Sequence, residues 1–457
     1  MQALDRRGGA GHGILMTPAP LWRPILAIAL PSMLTNVATA LFGLADMWVI
    51  GRLGEAAAQG GVEVGAKLLM TLLIVFNFLK TGTVALTAQA AGRGDPTAQA
   101  ATLVRGLAVA LGVGAVLLVL WPLVVPAGLS LLGAGQEVAP MARTYVDIRY
   151  VGGVAWLVNA VLIGWLIGRR QVRAVLVVEI AANLAHVALD VGLVLGLGWG
   201  VAGVAVATLV SEGLKTAALL AICAREAPAR QALRLARKRQ TWAGSELTAL
   251  FALNRDLFIR TILLMSATVM VTRAGAQQGA VVLAANAILF QLFMLATLML
   301  DGFESAAQVL CGEAAGARDA GLFARSVRAL LVWSAGAAGL MALAYLLVGA
   351  PLAASFSTDP AVTQTTGLYA LWVVALPLAG VASFVFDGVF IGAGWTRAML
   401  LSMAGALAVF VAALVLAAPL GNHGLWLAFT LFFVARGAGQ ALMLPGLMRR
   451  RLAAAKG

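Results

Sequence analysis

The sequence predicts an all-α membrane protein of about twelve spans, built as two six-helix repeats with both termini on the cytoplasmic side. Three observations carry this: an apolar excess no soluble core can hide, a series of membrane-length apolar runs, and one constant offset relating the two halves. Apolar residues fill 61% of the 457 positions and charged ones 11%, against about 25% charged in ordinary soluble domains. Lipid must therefore act as the solvent. A span needs ~20 apolar residues to cross the hydrocarbon. The punctuation places spans near 24–50, 62–90, 102–128, 145–168, 172–196 and 200–223, then near 248–274, 280–311, 326–352, 366–393, 397–419 and 423–447. Lipid offers the backbone no hydrogen bonds, so only helices or a closed barrel can cross it. Runs such as Leu107–Val125 and Met399–Ala418 lack strand alternation and read as helices.

The net charge of +13 raises the question of nucleic acid, but its distribution answers otherwise. With alternate loops assigned to opposite sides, one side collects 22 of the 32 Lys and Arg. These include Arg6, Arg7 and Arg23, Arg169, Arg170 and Arg173, the run Arg225–Arg239, and Arg449–Arg451 with Lys456; the other side holds four, Arg52, Arg143, Arg149 and Arg273. By the positive-inside rule the basic side is cytoplasmic. It is also suited to anionic lipid headgroups. No nucleic-acid partner is expected. Met1–Leu21 shows no apolar signal-peptide core. Cys223 and Cys311 fall at cytoplasmic span ends, a reducing location where no structural disulfide is expected.

A shift of 224 positions lays Ala90-Ala91-Gly92 and Asp95 on Ala314-Ala315-Gly316 and Asp319, and Tyr145 on Tyr369. It also lays Ile167-Gly168 and Arg173-Ala174 on Ile391-Gly392 and Arg397-Ala398, and Gly200 and Gly213 on Gly424 and Gly437. We read an N-lobe over 1–230 and a C-lobe over 231–457, joined by a basic linker at 225–246. Six spans per half make the repeats parallel, with a substrate cavity between them near the midplane.

Ionisable groups within spans are costly and mark ion or substrate pathways. Asp46 lies fifteen residues after Pro31, ~22 Å along an ideal helix. The acid thus sits toward the outer side, and the proline, a candidate hinge, toward the inner half. The plainer alternative is an interfacial residue. In the fifth span Asn183, His186 and Asp190 share one face, giving a second carboxylate with two polar neighbours; His186 reads either as a proton relay or as a packing residue. Asp301 and Glu304 share a face of the eighth span, Asp387 lies in the tenth, and Asn159 in the fourth; all four are candidates for the cavity wall. The repeat shift sets Lys80 opposite Glu304, which suggests an ion pair across the halves. Gly198-Trp199-Gly200-Val201-Ala202-Gly203 fits G-x-G-x-x-G but follows no strand, so it is no dinucleotide site. There is no P-loop, and three scattered histidines with two distant cysteines predict no metal cluster and no catalytic residues.

Several segments resemble the multidrug and toxic compound extrusion (MATE) transporters, in particular their DinF-like branch. These are Ala29-Leu30-Pro31 with Gly43-Leu44-Ala45-Asp46, Phe78-Leu79-Lys80-Thr81-Gly82-Thr83, and Leu189-Asp190 followed by Gly200–Thr208. In the second half they are Leu300-Asp301-Gly302-Phe303, Asp387-Gly388-Val389-Phe390-Ile391-Gly392 and Gly421-Asn422-His423-Gly424. The resemblance runs from about Pro24 to Arg451. It implies two six-helix lobes in a V and cation-coupled export of bulky, often cationic compounds, with no resident cofactor. It also implies a monomer in a bacterial cytoplasmic membrane. Asp46 and Asp190 would take the family's proton- or cation-linked carboxylates, and Asp387 a second-half carboxylate used by some members for cation binding. Many members carry Asn where this chain has His186, which favours H+ over Na+ as the coupling ion. The rival readings are a flippase for lipid-linked precursors, which calls for a cationic cavity, a channel, and an intramembrane enzyme, which needs a nucleophile or metal constellation.

Overall fold

The protein is described here as a computed structural model covering residues 21–133 and 135–452. Arg6, Arg7 and Lys456 of the basic count, and residues 1–20 read for a signal peptide, lie outside them. All regular elements among the described residues are helical. The first half contains α1 (Trp22–Gly51), α2 (Ala56–Ile74), α3 (Phe78–Gly92), α4 (Pro96–Leu131), α5 (Val138–Arg149), α6 (Gly152–Gly168), α7 (Val172–Asp190) and α8 (Gly200–Arg225). A short α9 (Ala232–Ala236) sits in the linker. The second half contains α10 (Gly244–Ala276), α11 (Ala280–Gly316), α12 (Ala320–Ala354), α13 (Pro360–Gly392), α14 (Thr396–Leu416) and α15 (Asn422–Arg451). Among the described residues eleven helices are long and apolar enough to span a membrane; α2 and α3 count as one, running Ala56–Gly92 through a 3-10 turn. The pair α5 and α6, bent by 50°, makes a twelfth.

The duplication reaches atomic detail. Asp95 and Asp319, offset by 224, both cap a helix, accepting from Ala98 N at 2.9 Å and Leu322 N at 2.8 Å. A side chain at Gly92 would land on the Glu313 carbonyl oxygen, and one at Gly316 on that of Gln89. These four residues are equivalent in pairs under the offset, so α3 and α11 cross about a local two-fold axis at their C-terminal ends. The crossing needs glycine because backbone meets backbone. Gly92→Ala is expected to overpack it by about 1–3 kcal/mol and lower the melting midpoint in detergent. Gly112→Ala, with nothing within 4 Å, should leave the midpoint unchanged.

The halves share one core toward the face where α1 begins and α15 ends. There Ile25, Leu79, Trp165 and Val175 of the first half pack in one cluster with Phe303, Cys311 and Phe390 of the second. Further from that face each half keeps its own core. Val49, Ile50, Tyr145 and Val204 form one, and Phe293, Trp426, Phe429 and Phe433 the other. A joint core at one end and separate cores at the other make a V. Polar contacts tie the joined end: Arg170 pairs with Glu313, Gln89 Nε2 donates to Gly392 O at 2.7 Å, and Asn36 Nδ2 to Leu298 O at 3.3 Å. The linker, read from sequence as a polar connector, is docked. Leu235 packs on Ala100 and Val104, and Arg105 Nε donates to Thr241 O at 2.8 Å. Cys223 and Cys311 are both free thiols.

Candidate functional site

Asp46 and Asp190 stand 144 positions apart, on different spans, and meet inside the first half. Helical spacing puts His186 and Asp190 on one face of α7, and the packing of α7 against α1 brings Asp46 onto that face. His186 Nε2 lies 2.6 Å from Asp46 Oδ1 and 3.1 Å from Asp190 Oδ2, and all three side chains are buried. One ring nitrogen cannot serve both acids at once: neither Asp190 oxygen has hydrogen-bond geometry to any partner among the described residues. The ring is fixed by stacking on Phe42, 3.8 Å between centroids at 9°, and by Ser211 Oγ 3.4 Å from Nδ1. On the far side Tyr145 donates its hydroxyl to Asp46 Oδ2 at 3.3 Å, and Arg149 donates to that same hydroxyl. Two facing buried carboxylates need positive charge between them. The ligand atoms of Asp46, His186 and Asp190 lie within 4.8 Å of one another, close enough to share a proton or to enclose one small cation. Just past Asp190 the helix loosens into a π turn, Val191–Gly196, a feature frequent at functional sites.

Two further charge clusters lie in the spans. Lys215 Nζ of α8 sits 2.8 Å from Glu212 Oε1 and 3.5 Å from Glu179 Oε1 of α7. Thr39 donates to Glu179 at 3.0 Å, and Asn159 Nδ2 to Glu212 Oε2 at 2.8 Å. In the second half Asp387 is clamped. Arg260 and Arg436 both donate to its Oδ2, and Gln440 Nε2 donates to Oδ1 at 2.7 Å. Asp301 and Glu304 keep accessible surface, and Gln308 Nε2 holds Glu304 at 2.9 Å. An apolar groove of about 750 Å³ lies elsewhere, between α10 and α14, lined by Leu263, Leu407 and Val411, with no polar group among its lining residues to orient a solute.

The MatE family's sequence model matches twice, over residues 31–191 and again over 257–418. The chain belongs to the MatE family. It is 36% identical to the DNA damage-inducible protein F of Escherichia coli strain K12, over 93% of this chain and 91% of that protein. It is also 26% identical to the probable multidrug resistance protein NorM of Thermotoga maritima, over 42% of each chain. Among solved structures, the Vibrio cholerae MATE transporter VcmN in its bent form superposes with a TM-score of 0.86 at 20% identity, covering 94% of this chain and 98% of that one. This MatE protein is thus a multi-pass efflux transporter and not an enzyme.

Against the sequence reading, the MatE fold places Asp46, His186 and Asp190 together, including a histidine that sequence left open between relay and packing. It builds a three-residue cluster of metal-ligand type where histidine and cysteine spacing predicted none, because two of the ligands are carboxylates and one of these, Asp46, comes from a different helix. Asn183 faces α1 but not the acids; its Nδ2 donates to Ala38 O at 3.0 Å. Asn159, expected on the cavity wall, is buried against Glu212. Asp387, expected there too, is 1% exposed. Among the described residues no ion pair joins Lys80 to Glu304; the charge of Lys80 acts on Asp301. Four cations that sequence did not single out, Arg149, Lys215, Arg260 and Arg436, stand beside the buried acids. A sequence signal for three of the missed residues existed. Glu179 extends the Asn183–His186–Asp190 stripe by one turn, and Glu212 and Lys215 stand at i,i+3 in an apolar span.

Proposed function

We propose that this transporter is a proton-coupled antiporter that exports bulky, often cationic organic compounds across a bacterial cytoplasmic membrane. The observation that carries the reading is the buried Asp46–His186–Asp190 centre within the first half. An imidazole at its heart suits a proton better than Na⁺, a hard ion that takes oxygen ligands. In the V now described the joined end faces the cytoplasm and the open end faces out. A proton arriving from outside removes one negative charge from the centre, relaxes its hold on α1 and lets that helix bend about Pro31, so that substrate leaves. Reclosure carries the proton inward, gaining ~2.3 kcal/mol per 100 mV for each charge moved. Asp301 and Glu304, which keep accessible surface, favour cations in the cleft. Both halves of the gate lie in one chain, so a monomer suffices. Arg169, Arg170, Arg173 and Arg449–Arg451 suit anionic headgroups at the cytoplasmic face.

The test is ethidium-driven proton flux in vesicles holding the purified protein. Flux is expected to persist when Na⁺ is replaced by choline. A requirement for Na⁺ would overturn the choice of ion, and absence of ethidium-driven flux of either ion would overturn antiport.

A further inference from the structure

Two stacked charge clusters occupy the first half, and the proton-coupled reading uses only the outer one. Glu179 lies seven residues before His186 on the same helix, ~10 Å nearer the basic face. Glu212 follows Ser211, the hydroxyl touching His186 Nδ1, and Lys215 lies one turn further toward that face. The inner cluster holds two carboxylates and one ammonium, so it carries one uncompensated negative charge when all three are ionised. Glu179 is 3% exposed and Lys215 7%. A second observation points to a proton there. Asn159, 2% exposed, donates to Glu212 through Nδ2 while its Oδ1 is buried without a partner. A side-chain amide in this position serves both forms of the acid: it donates to the carboxylate, or, turned over, accepts from the carboxylic O–H.

We propose that Glu179, Glu212 and Lys215 form an inner proton-exchange site, which receives the proton from the Asp46–His186–Asp190 centre and delivers it to the cytoplasmic face. The proposal rests on the proton-coupled reading above. Only H⁺ moves. It leaves the outer centre, neutralises the inner triad on Glu212, and departs to cytoplasmic water, restoring the triad's negative charge. The groups around the triad are accounted for by element. Thr39 and Asp46 come from α1, Asn159 from α6, and His186 and Asp190 from α7 itself. Arg149 of α5 acts on both Asp46 and Glu212, whereas Glu63 and Lys67 of α2 are exposed.

The experiment uses the reconstituted full-length protein with ethidium as the probe, at fixed external pH and varied pH on the cytoplasmic side. Wild-type proton flux is expected to rise as the cytoplasmic side is made alkaline. Glu212→Gln should keep ethidium binding, lose about 100-fold in turnover and no longer respond to cytoplasmic pH; Glu212→Asp should recover the response. Wild-type flux and pH response in Glu212→Gln and Glu179→Gln, beside an inactive Asp46→Asn, overturn the inner site and leave the outer reading standing. An active Asp46→Asn sinks the coupling reading itself. Loss of ethidium binding together with turnover marks a structural role and also overturns the proposal. If Glu212→Gln does not fold, Glu179→Gln, whose amide oxygen can still accept from Thr39 and Lys215, carries the same outcomes.

Discussion

Asp46→Asn is expected to reduce ethidium-driven proton movement to that of protein-free vesicles while leaving the protein folded. The amide is the same size as the carboxyl and can meet both neighbours, donating to His186 Nε2 and accepting from Tyr145. What it cannot do is change charge, so position 46 is held in its neutral form whatever the external pH and only Asp190 and His186 are left to titrate. Substrate binding should survive, because no element moves to accommodate the change. Proton flux equal to wild type in the purified variant would remove Asp46 from the coupling role. Flux lost together with the folded protein, judged by its melting midpoint, would mark a structural residue instead.

Asp387→Asn is expected to behave in the opposite way, costing stability before it costs transport. Two guanidinium groups converge on this one carboxylate, and Arg436 is 2% exposed, set among the rings of Phe384, Phe432 and Phe433. Removing the acid leaves two buried cations facing each other, a loss of about 3–5 kcal/mol for a broken buried pair. The melting midpoint in detergent should fall clearly. Arg436→Leu should cost less, since Arg260 and Gln440 still hold Asp387 and the remaining pair is neutral. The double variant Asp387→Asn/Arg436→Leu should regain part of the loss, because only one cation is then unpaired and Arg260 remains within electrostatic reach of Glu304 and Asp301. An Asp387→Asn protein that melts like wild type, or a double variant less stable than the single, would show that the clamp contributes little. The clamp also bears on the cation-binding role implied for Asp387 by resemblance: both its oxygens already accept from the protein's own donors.

The readings that sequence supported are those carried by local chemistry. Hydropathy belongs to a single segment, so the spans were legible, with ends displaced by up to seven residues and the bent pair α5–α6 counted as one of the twelve. The offset of 224 was visible as scattered glycines, and its meaning is steric: Gly92 and Gly316 sit where two backbones cross, a place that tolerates no side chain. Asp46 and Asp190 stood out because a carboxylate within an apolar run is costly wherever its partner lies. His186 and Glu179 were partly legible, since periodicity puts them on the same helix face as Asp190.

By itself, then, the sequence determined that this is a duplicated twelve-span helical protein with acids buried in its first and fifth spans. Only the tertiary structure decided that His186 sits between those acids and hydrogen-bonds Asp46, that Lys215 is shared between Glu179 and Glu212, and that Asp387 is buried under Arg260 and Arg436. The physical reason is that helical periodicity tells which side chains share a face, while the face a second helix brings against it depends on packing between segments more than a hundred positions apart. Charge, which reads as a cost along one helix, becomes a partnership or an exposed site only once those helices are in contact.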